Sequence, residues 1–544
     1  MQRSGGRHKA SVAIAAVVIG AIAIALRCWR LSWGLSGRLG HLGFPDEGIM
    51  WGPYVRGFIP LSWSSFDQLN LNYPTFYGYV VGLTAALAHR LGMLTTLAPA
   101  NAYRFFVVDP GAFVVARAVS AASGTLTVAL VGFVASRMYS LRVGIAAAAI
   151  MAVAPFDVVY SHLASPDVLL ATCTATTMVL AYVSAVGSSV WVVFAAGLAA
   201  GVATGTKYTG LAMVVPIAWA VGENAVRRRS LRHGAILASL GLGGLAVGIV
   251  LSCPPCVIHS DRLMEALRNH LTMNRILYTN LHNNFIAQTL RWYGRPYVYE
   301  LVASLPFALG WPLYVLGLLG VAVAVWRHEL ADRVVLATIV PYFLAISASM
   351  VVYPRYLLPL LPGLVVLAAR GLTFLPGRRA PVAVFTVVFA YSLAFAASHV
   401  ARFSLDQQHA VARWIADAAR GDSYLVGVRV GVPDLMLDYY RLQAPLADAN
   451  LKYLALADGH WFDDRPEFLV IPEWYAIAIE RDIPLSPAAR ELASLRSGAA
   501  GYEQAATWRS SYLQESFYTS LDPAFAGDLW QGEIGFTVYR RARP

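Results

Sequence analysis

The chain has 544 residues, 57% hydrophobic and 13% charged, with a mean hydropathy of +0.55. That balance excludes a soluble protein, and repeated runs of about 20 apolar residues read as membrane spans, so the sequence describes a polytopic membrane protein. The formal charge of +11 is unevenly spread: residues 1–400 carry 28 Lys+Arg against 12 Asp+Glu, the remainder 14 against 19. The basic excess belongs to the membrane part, where it sets topology and meets anionic lipid, and it gives no ground for a nucleic-acid partner.

Arg3, Arg7, His8 and Lys9 precede the first apolar run. The run continues to about Leu31 without a small-residue cleavage site, which favours an anchor over a signal peptide. Further spans are expected near 112–137, 143–160, 165–186, 190–206, 208–222, 233–252, 298–325, 332–352, 356–375 and 380–399, eleven with the first. The N-terminus, Arg137 with Arg142, Arg227–Arg229 with Arg232, Arg327 with Arg333, and Arg378 with Arg379 all fall on one, cytoplasmic, side only if the apolar run 74–91 does not cross. It is therefore expected to be juxtamembrane or re-entrant, a depth at which irregular backbone is tolerated under cover of protein. The outer face then holds Asp46, Glu47, Asp157, Asp167, Lys207, a first loop at 32–111, a second at 253–297, Arg355 and the tail.

Small residues repeat every fourth position at Gly197, Gly201 and Gly205, a spacing that predicts close helix packing. Lys207 follows in what reads as a tight turn. Cys253-Pro-Pro-Cys256 sits where a span should meet the outer face; a local disulfide with a structural role suits it better than redox chemistry, because no thioredoxin-like pattern surrounds it. Cys28 and Cys173 read as small buried thiols. From about residue 401 to 544 the composition becomes that of a soluble α/β unit, with strands expected at 424–430, 468–471 and 535–539 and a helix at 407–420.

Four carboxylates, Asp46, Glu47, Asp157 and Asp167, collect at the outer ends of spans under this topology. Charge at the edge of hydrocarbon must be paired, hydrogen-bonded or open to a water-filled cavity, and such a group beside an acceptor hydroxyl can take its proton as a new bond forms. Asp46 also suits the cap of a short helix after Pro45, and Pro166-Asp167 the first turn of one. Lys207 and Arg355 lie on the outer face against the positive-inside tendency. Phosphate is the natural counterion for both, a snorkelling or salt-bridged side chain the plainer account. His162, His259, His270 and His282 lack the tight spacing of a metal site.

Taken together these residues resemble the membrane glycosyltransferases of the protein O-mannosyltransferase and aminoarabinose transferase type, the GT-C superfamily. The likeness rests on Phe44-Pro45-Asp46-Glu47, Tyr160-Ser161-His162 through Asp167, Gly205-Thr206-Lys207-Tyr208, and Tyr353-Pro354-Arg355-Tyr356, in order over residues 10–400. A weaker stretch runs from Gly294-Arg295-Pro296-Tyr297 to Gly310-Trp311-Pro312. The resemblance implies a GT-C domain over 1–400 and a periplasmic domain over 401–544. It further implies inverting transfer from a polyprenyl-phosphate sugar to an extracytoplasmic acceptor at a bacterial inner membrane. By it, Asp46 is the catalytic base with Glu47 beside it and Asp167 as second acidic residue; Lys207, Arg355 and Tyr356 hold the donor phosphate; Tyr73, His162 and Arg295 are substrate contacts. No cofactor is required, although an Asp/Glu cluster beside a phosphate also suits Mg or Mn. The chain departs from many relatives in having Asn72-Tyr73-Pro74 where they have His-Pro-Pro, so an acceptor contact to that histidine does not carry over. A transporter or flippase of an anionic or lipid-linked substrate is the competing class. Such proteins show a repeat with interrupted helices near the midplane, whereas here no repeat is visible and the charges gather at one face.

Overall fold

The computed structural model describes residues 2–33, 54–55, 57–59, 61–67, 71–94, 110–187, 189–279, 296–349, 354–403, 407–418, 425–428, 450–453, 460–463, 465–472, 476, 479–480, 484–509 and 535–542. Asp46, Glu47, His282, Arg295 and Tyr353 lie outside the described residues.

The membrane part is a helical bundle: α1 (Gln2–Cys28), α2 (Phe76–Arg90), α3 (Pro110–Met138), α4 (Leu141–Ala152), α5 (Pro155–Tyr160), α6 (Pro166–Val186), α7 (Val190–Thr206), α8 (Val214–Arg228), α9 (Leu231–Ser252), α10 (Pro254–Ile258), α11 (Ser260–Thr279), α12 (Trp311–Arg327), α13 (Leu330–Ile346), α14 (Leu361–Leu372) and α15 (Arg379–Arg402). Among the described residues, seven helical runs are long and apolar enough to cross a membrane. The eleven expected spans are all represented by helix, but not all as continuous crossings. The one expected at 143–160 breaks where Ala154, before Pro155, turns extended (φ −60°, ψ 111°), as the clash of a proline ring with the preceding residue favours. The one at 298–325 is interrupted by a π-helical turn at Glu300–Ser304 and by Gly310 at φ +74°. A Cβ at Gly310 would also lie 2.8 Å from the Tyr391 ring, so only glycine serves there.

Side-chain contacts sort the bundle into two ends. At one, Tyr139 donates to Asp332 (2.6 Å), Arg333 pairs with Glu223 (2.9 Å), Arg370 with Glu329 (2.7 Å), and Arg227 donates to the Ala185 carbonyl (2.8 Å). This end gathers the basic loops. Arg27, Asp157, Asp167, Lys207 and Arg355 occupy the other. The helix α2 stays at that second end: its cluster draws on Ala112, Phe113, Ala116 and Val119, all near the start of α3, and Tyr77 donates to the Ala116 carbonyl. Leu83 and Leu87 remain 43% and 58% exposed, an apolar stripe on the outside of the bundle.

The small residues of α7 do set a close helix contact. A Cβ at Gly197 would strike the Gly241 carbonyl oxygen, and one at Gly201 would strike that of Leu245 and lie 2.7 Å from Gly248 Cα. The backbones of α7 and α9 therefore touch, with no side chain between them.

The C-terminal part holds α16 (Gln407–Ala418), α17 (Pro487–Arg496) and a five-stranded sheet of β1 (Leu425–Val428), β2 (Asn450–Tyr453), β3 (Phe468–Pro472), β4 (Tyr502–Arg509) and β5 (Gly535–Arg541), in the order β2-β1-β3-β5-β4. β1 runs parallel to β2 and β3; β5 runs antiparallel to β3 and β4. The three expected strands are present. β2 and β4 were not anticipated, β4 because a bulge between Gln504 and Ala506 interrupts its alternation.

Candidate active site

Asp167 stands in the first turn of α6 because Pro166 opens that helix and Ser165 caps it. The Ser165 hydroxyl donates to Asp167 Oδ2 (2.7 Å), which leaves Oδ1 facing the bundle. Lys207 reaches that oxygen from a neighbouring element. α7 ends at Thr206, Lys207 is extended (φ −156°, ψ 138°), and the chain resumes as a 3-10 turn at Tyr208–Met213. That single extended residue turns the side chain inward, and Lys207 Nζ lies 2.6 Å from Asp167 Oδ1.

The third wall is the 3-10 segment Pro354–Leu360. Lys207 Nζ lies 3.9 Å above the Tyr356 ring centroid, and the Arg355 guanidinium carbon 5.6 Å from it. Tyr342 holds this segment by donating to the Tyr356 carbonyl (3.1 Å), with its hydroxyl 3.3 Å from that of Thr209. Asp167, Lys207 and Arg355 are 2%, 8% and 6% exposed. Among the described residues the site thus brings together two buried cations and one carboxylate, and buried charge of this kind interacts more strongly than charge in water. Both Asp167 oxygens already accept a hydrogen bond. Among the described residues no three His, Cys, Asp or Glu side chains gather as for a metal ion.

A roof runs beside this recess. Cys253 and Cys256 form a disulfide, packed with Leu71, Tyr208, Leu263 and Ala266. Tyr208, next to Lys207, donates to the Leu71 carbonyl (2.6 Å), and Thr75 donates to the Ser252 carbonyl (2.9 Å). His259 lies 2.8 Å from Asp67, and His270 lies 3.0 Å from the Asn72 carbonyl. These two histidines, one just before α11 and one within it, thus lace that region to the segment before α2. Titration of the denatured, unreduced protein with a thiol reagent should find two thiols, Cys28 and Cys173, and four after reduction; four before reduction would show that the bond does not form.

The remaining sequence-derived residues divide. Tyr73 is half-buried against the aromatic cluster of α2. His162 is fully buried, 2.8 Å from the Val158 carbonyl, 2.9 Å from the Trp29 carbonyl and stacked on Phe403. It is a strut between α1, the α5–α6 connection and the end of α15, rather than a wall of the recess. Asp157 does not join Asp167; it pairs with Arg27. Arg27 and Arg117, both fully buried, were missed by sequence reasoning. The signal for them was an arginine inside an apolar span, which in a membrane marks a partner or a site.

Residues 105–254 match the dolichyl-phosphate-mannose-protein mannosyltransferase family. The matched stretch contains Asp167 and Lys207, and the resemblance read from the sequence is borne out over it. No curated protein sequence matches the chain. Among solved structures the chain is similar to ArnT from Cupriavidus metallidurans bound to undecaprenyl phosphate, at 15% identity and a TM-score of 0.47, over 97% of this chain and 99% of that one. It is also similar to the apo Archaeoglobus fulgidus oligosaccharyltransferase, at 12% identity and a TM-score of 0.46, over 86% and 70% of the two chains. The Archaeoglobus fulgidus oligosaccharyltransferase AglB in complex with an inhibitory peptide and a dolichol-phosphate gives 12% and 0.44, over 87% and 70%.

Proposed function

We propose that the protein is an inverting glycosyltransferase that moves a hexose or pentose from a polyprenyl-phosphate carrier to an extracytoplasmic protein, lipid or glycan. One observation carries this reading. The buried Lys207, paired with Asp167 and seated on Tyr356 beside Arg355, lies within the family-matched stretch at the end of the bundle opposite the basic loops. The positive-inside tendency puts those loops in the cytoplasm of a bacterial inner membrane and the recess on the periplasmic side.

As the sugar leaves, its phosphate gains negative charge, and fixed cations in a water-poor recess stabilise that change more than the ground state. Lys207 offers a compact charge and Arg355 a planar fork to phosphate oxygens. Asp46 takes the proton of the acceptor hydroxyl, with Glu47 orienting it, and attack from the face opposite the phosphate inverts the anomeric carbon. Tyr73 and Arg295 border the acceptor or the sugar. The test is transfer from a panel of radiolabelled polyprenyl-phosphate sugars in detergent, with wild type beside Asp46→Asn and with and without chelator. Transfer that falls by at least about 10²-fold in the variant is expected, and the chelator arm decides whether Mg or Mn takes part. Donor moved across proteoliposomes but never consumed would replace this reading with a transporter.

A further inference from the structure

At the same end of the bundle, away from the phosphate recess, a second buried ion pair has no part in the chemistry above. Arg27 in the last turn of α1 and Asp157 in α5 are both fully buried. Arg27 Nε and Nη2 lie 3.0 and 2.7 Å from Asp157 Oδ2. The rest of the guanidinium donates to the carbonyls of Ala152 and Met151, each at 2.9 Å, in the last turn of α4. The slot is cut for this side chain: a Cβ at Gly124 of α3 would lie 2.9 Å from Arg27 Nε and strike the Ser161 hydroxyl.

We infer that the Arg27–Asp157 pair is a positioning device that fixes the end of α1 and residues 29–33 against the run leading to Asp167. Arg27 is followed by residues 29–33, which are tied down in turn. Arg117 donates to the carbonyls of Leu31 (2.9 Å) and Trp33 (2.7 Å), and Trp33 Nε1 donates to the His162 carbonyl (3.2 Å). Asp157 lies four residues before Ser161, whose hydroxyl donates back to the Asp157 carbonyl (2.7 Å), and ten before Asp167. Residues 29–33 and the run that carries Asp167 thus leave from one clamp. Stability alone does not call for an ion pair there. Taking both charges out of water costs several kcal/mol each, and an apolar pair of similar volume often serves as well or better. What an apolar pair lacks is the fork that holds Asp157 and the end of α4 in a single geometry.

The inference rests on the proposed transferase, so its test has one arm that reads turnover and one that does not. The double variant Arg27→Met/Asp157→Met removes both charges together and should keep the melting temperature close to wild type. Its kcat should fall by about 10²-fold, the order expected of an ångström-scale misplacement, while the donor KM holds because Lys207 and Arg355 are untouched. Hydrogen exchange should rise in residues 29–33 and 157–165 and stay unchanged in α7 and α9. Arg27→Lys, which keeps the charge and loses the fork, should reproduce both effects. Wild-type kcat and exchange in both variants would overturn the inference. If wild type turns over no donor, the transferase reading fails by itself, and local exchange alone decides whether the clamp exists.

Discussion

Lys207→Met should abolish sugar transfer and lower the melting temperature together, whereas adding Asp167→Asn to it should recover the fold without recovering transfer. Lys207 Nζ sits 2.6 Å from a carboxylate that is 3% exposed. Removing the lysine alone leaves that carboxylate buried without its cation, and breaking a buried pair from one side costs about 3–5 kcal/mol. Neutralising both partners removes the penalty, because the amide that replaces the Asp167 carboxylate still meets Ser165 across the helix cap. The chemistry does not return, since the cation meeting the departing phosphate is gone, a loss of about 10²–10³-fold by the measure of a single preorganised donor. Asp167→Asn alone has a different signature. Lys207 then loses the Asp167 charge and grips phosphate more tightly, so the donor KM falls, the polyprenyl phosphate product inhibits at lower concentration, and kcat falls with slower release. Thermal unfolding in detergent beside steady-state transfer reads all three variants. A Lys207→Met protein with wild-type kcat and KM would take Lys207 out of the site.

The helical bundle and much of the recess were legible in the sequence because hydrocarbon constrains a chain so strongly. Apolar length and basic loops were enough to put Asp157, Asp167, Lys207 and Arg355 at one end, with the helix of the 74–91 run packed at that same end. Pro166-Asp167 announced its helix start, and the four-residue glycine spacing announced the α7–α9 contact. The pairings were not legible. Lys207 had several carboxylates within its expected face, and only packing decides that it meets Asp167, 40 residues away, while Asp157 is taken by Arg27, 130 residues away. His162 read as a substrate contact because it stands in a family stretch; its place against two carbonyls and Phe403 depends on the ends of α1 and α15, which sequence spacing does not bring near. The span count suffered from local breaks at Ala154 and Gly310, where a proline neighbour or a positive φ ends a helix that hydropathy alone would continue.

Gly201→Ala and Gly243→Ala, on the two helices of one contact, should shift stability in opposite directions. A methyl at Gly201 would strike the Leu245 carbonyl oxygen and come within 2.7 Å of Gly248 Cα. Backbone cannot step aside as a flexible side chain does, so α7 and α9 must separate, and overpacking of this kind costs about 1–3 kcal/mol. Gly243 is exposed on α9 and a methyl there meets nothing within 4 Å; alanine at such a helix position gains about 0.5–1 kcal/mol over glycine. The first substitution also reaches the site. Lys207 follows six residues after Gly201, about 9 Å along the helix at 1.5 Å per residue, so moving α7 off α9 moves the lysine relative to Asp167 and Tyr356. Gly201→Ala should therefore lose turnover as well as melting temperature, and Gly201→Leu should fail to fold. Gly243→Ala should melt higher and turn over as wild type. Equal melting shifts for the two alanine variants would mean that α7 and α9 are not in backbone contact, and the lysine would then owe its position to the 3-10 turn at Tyr208–Met213 instead.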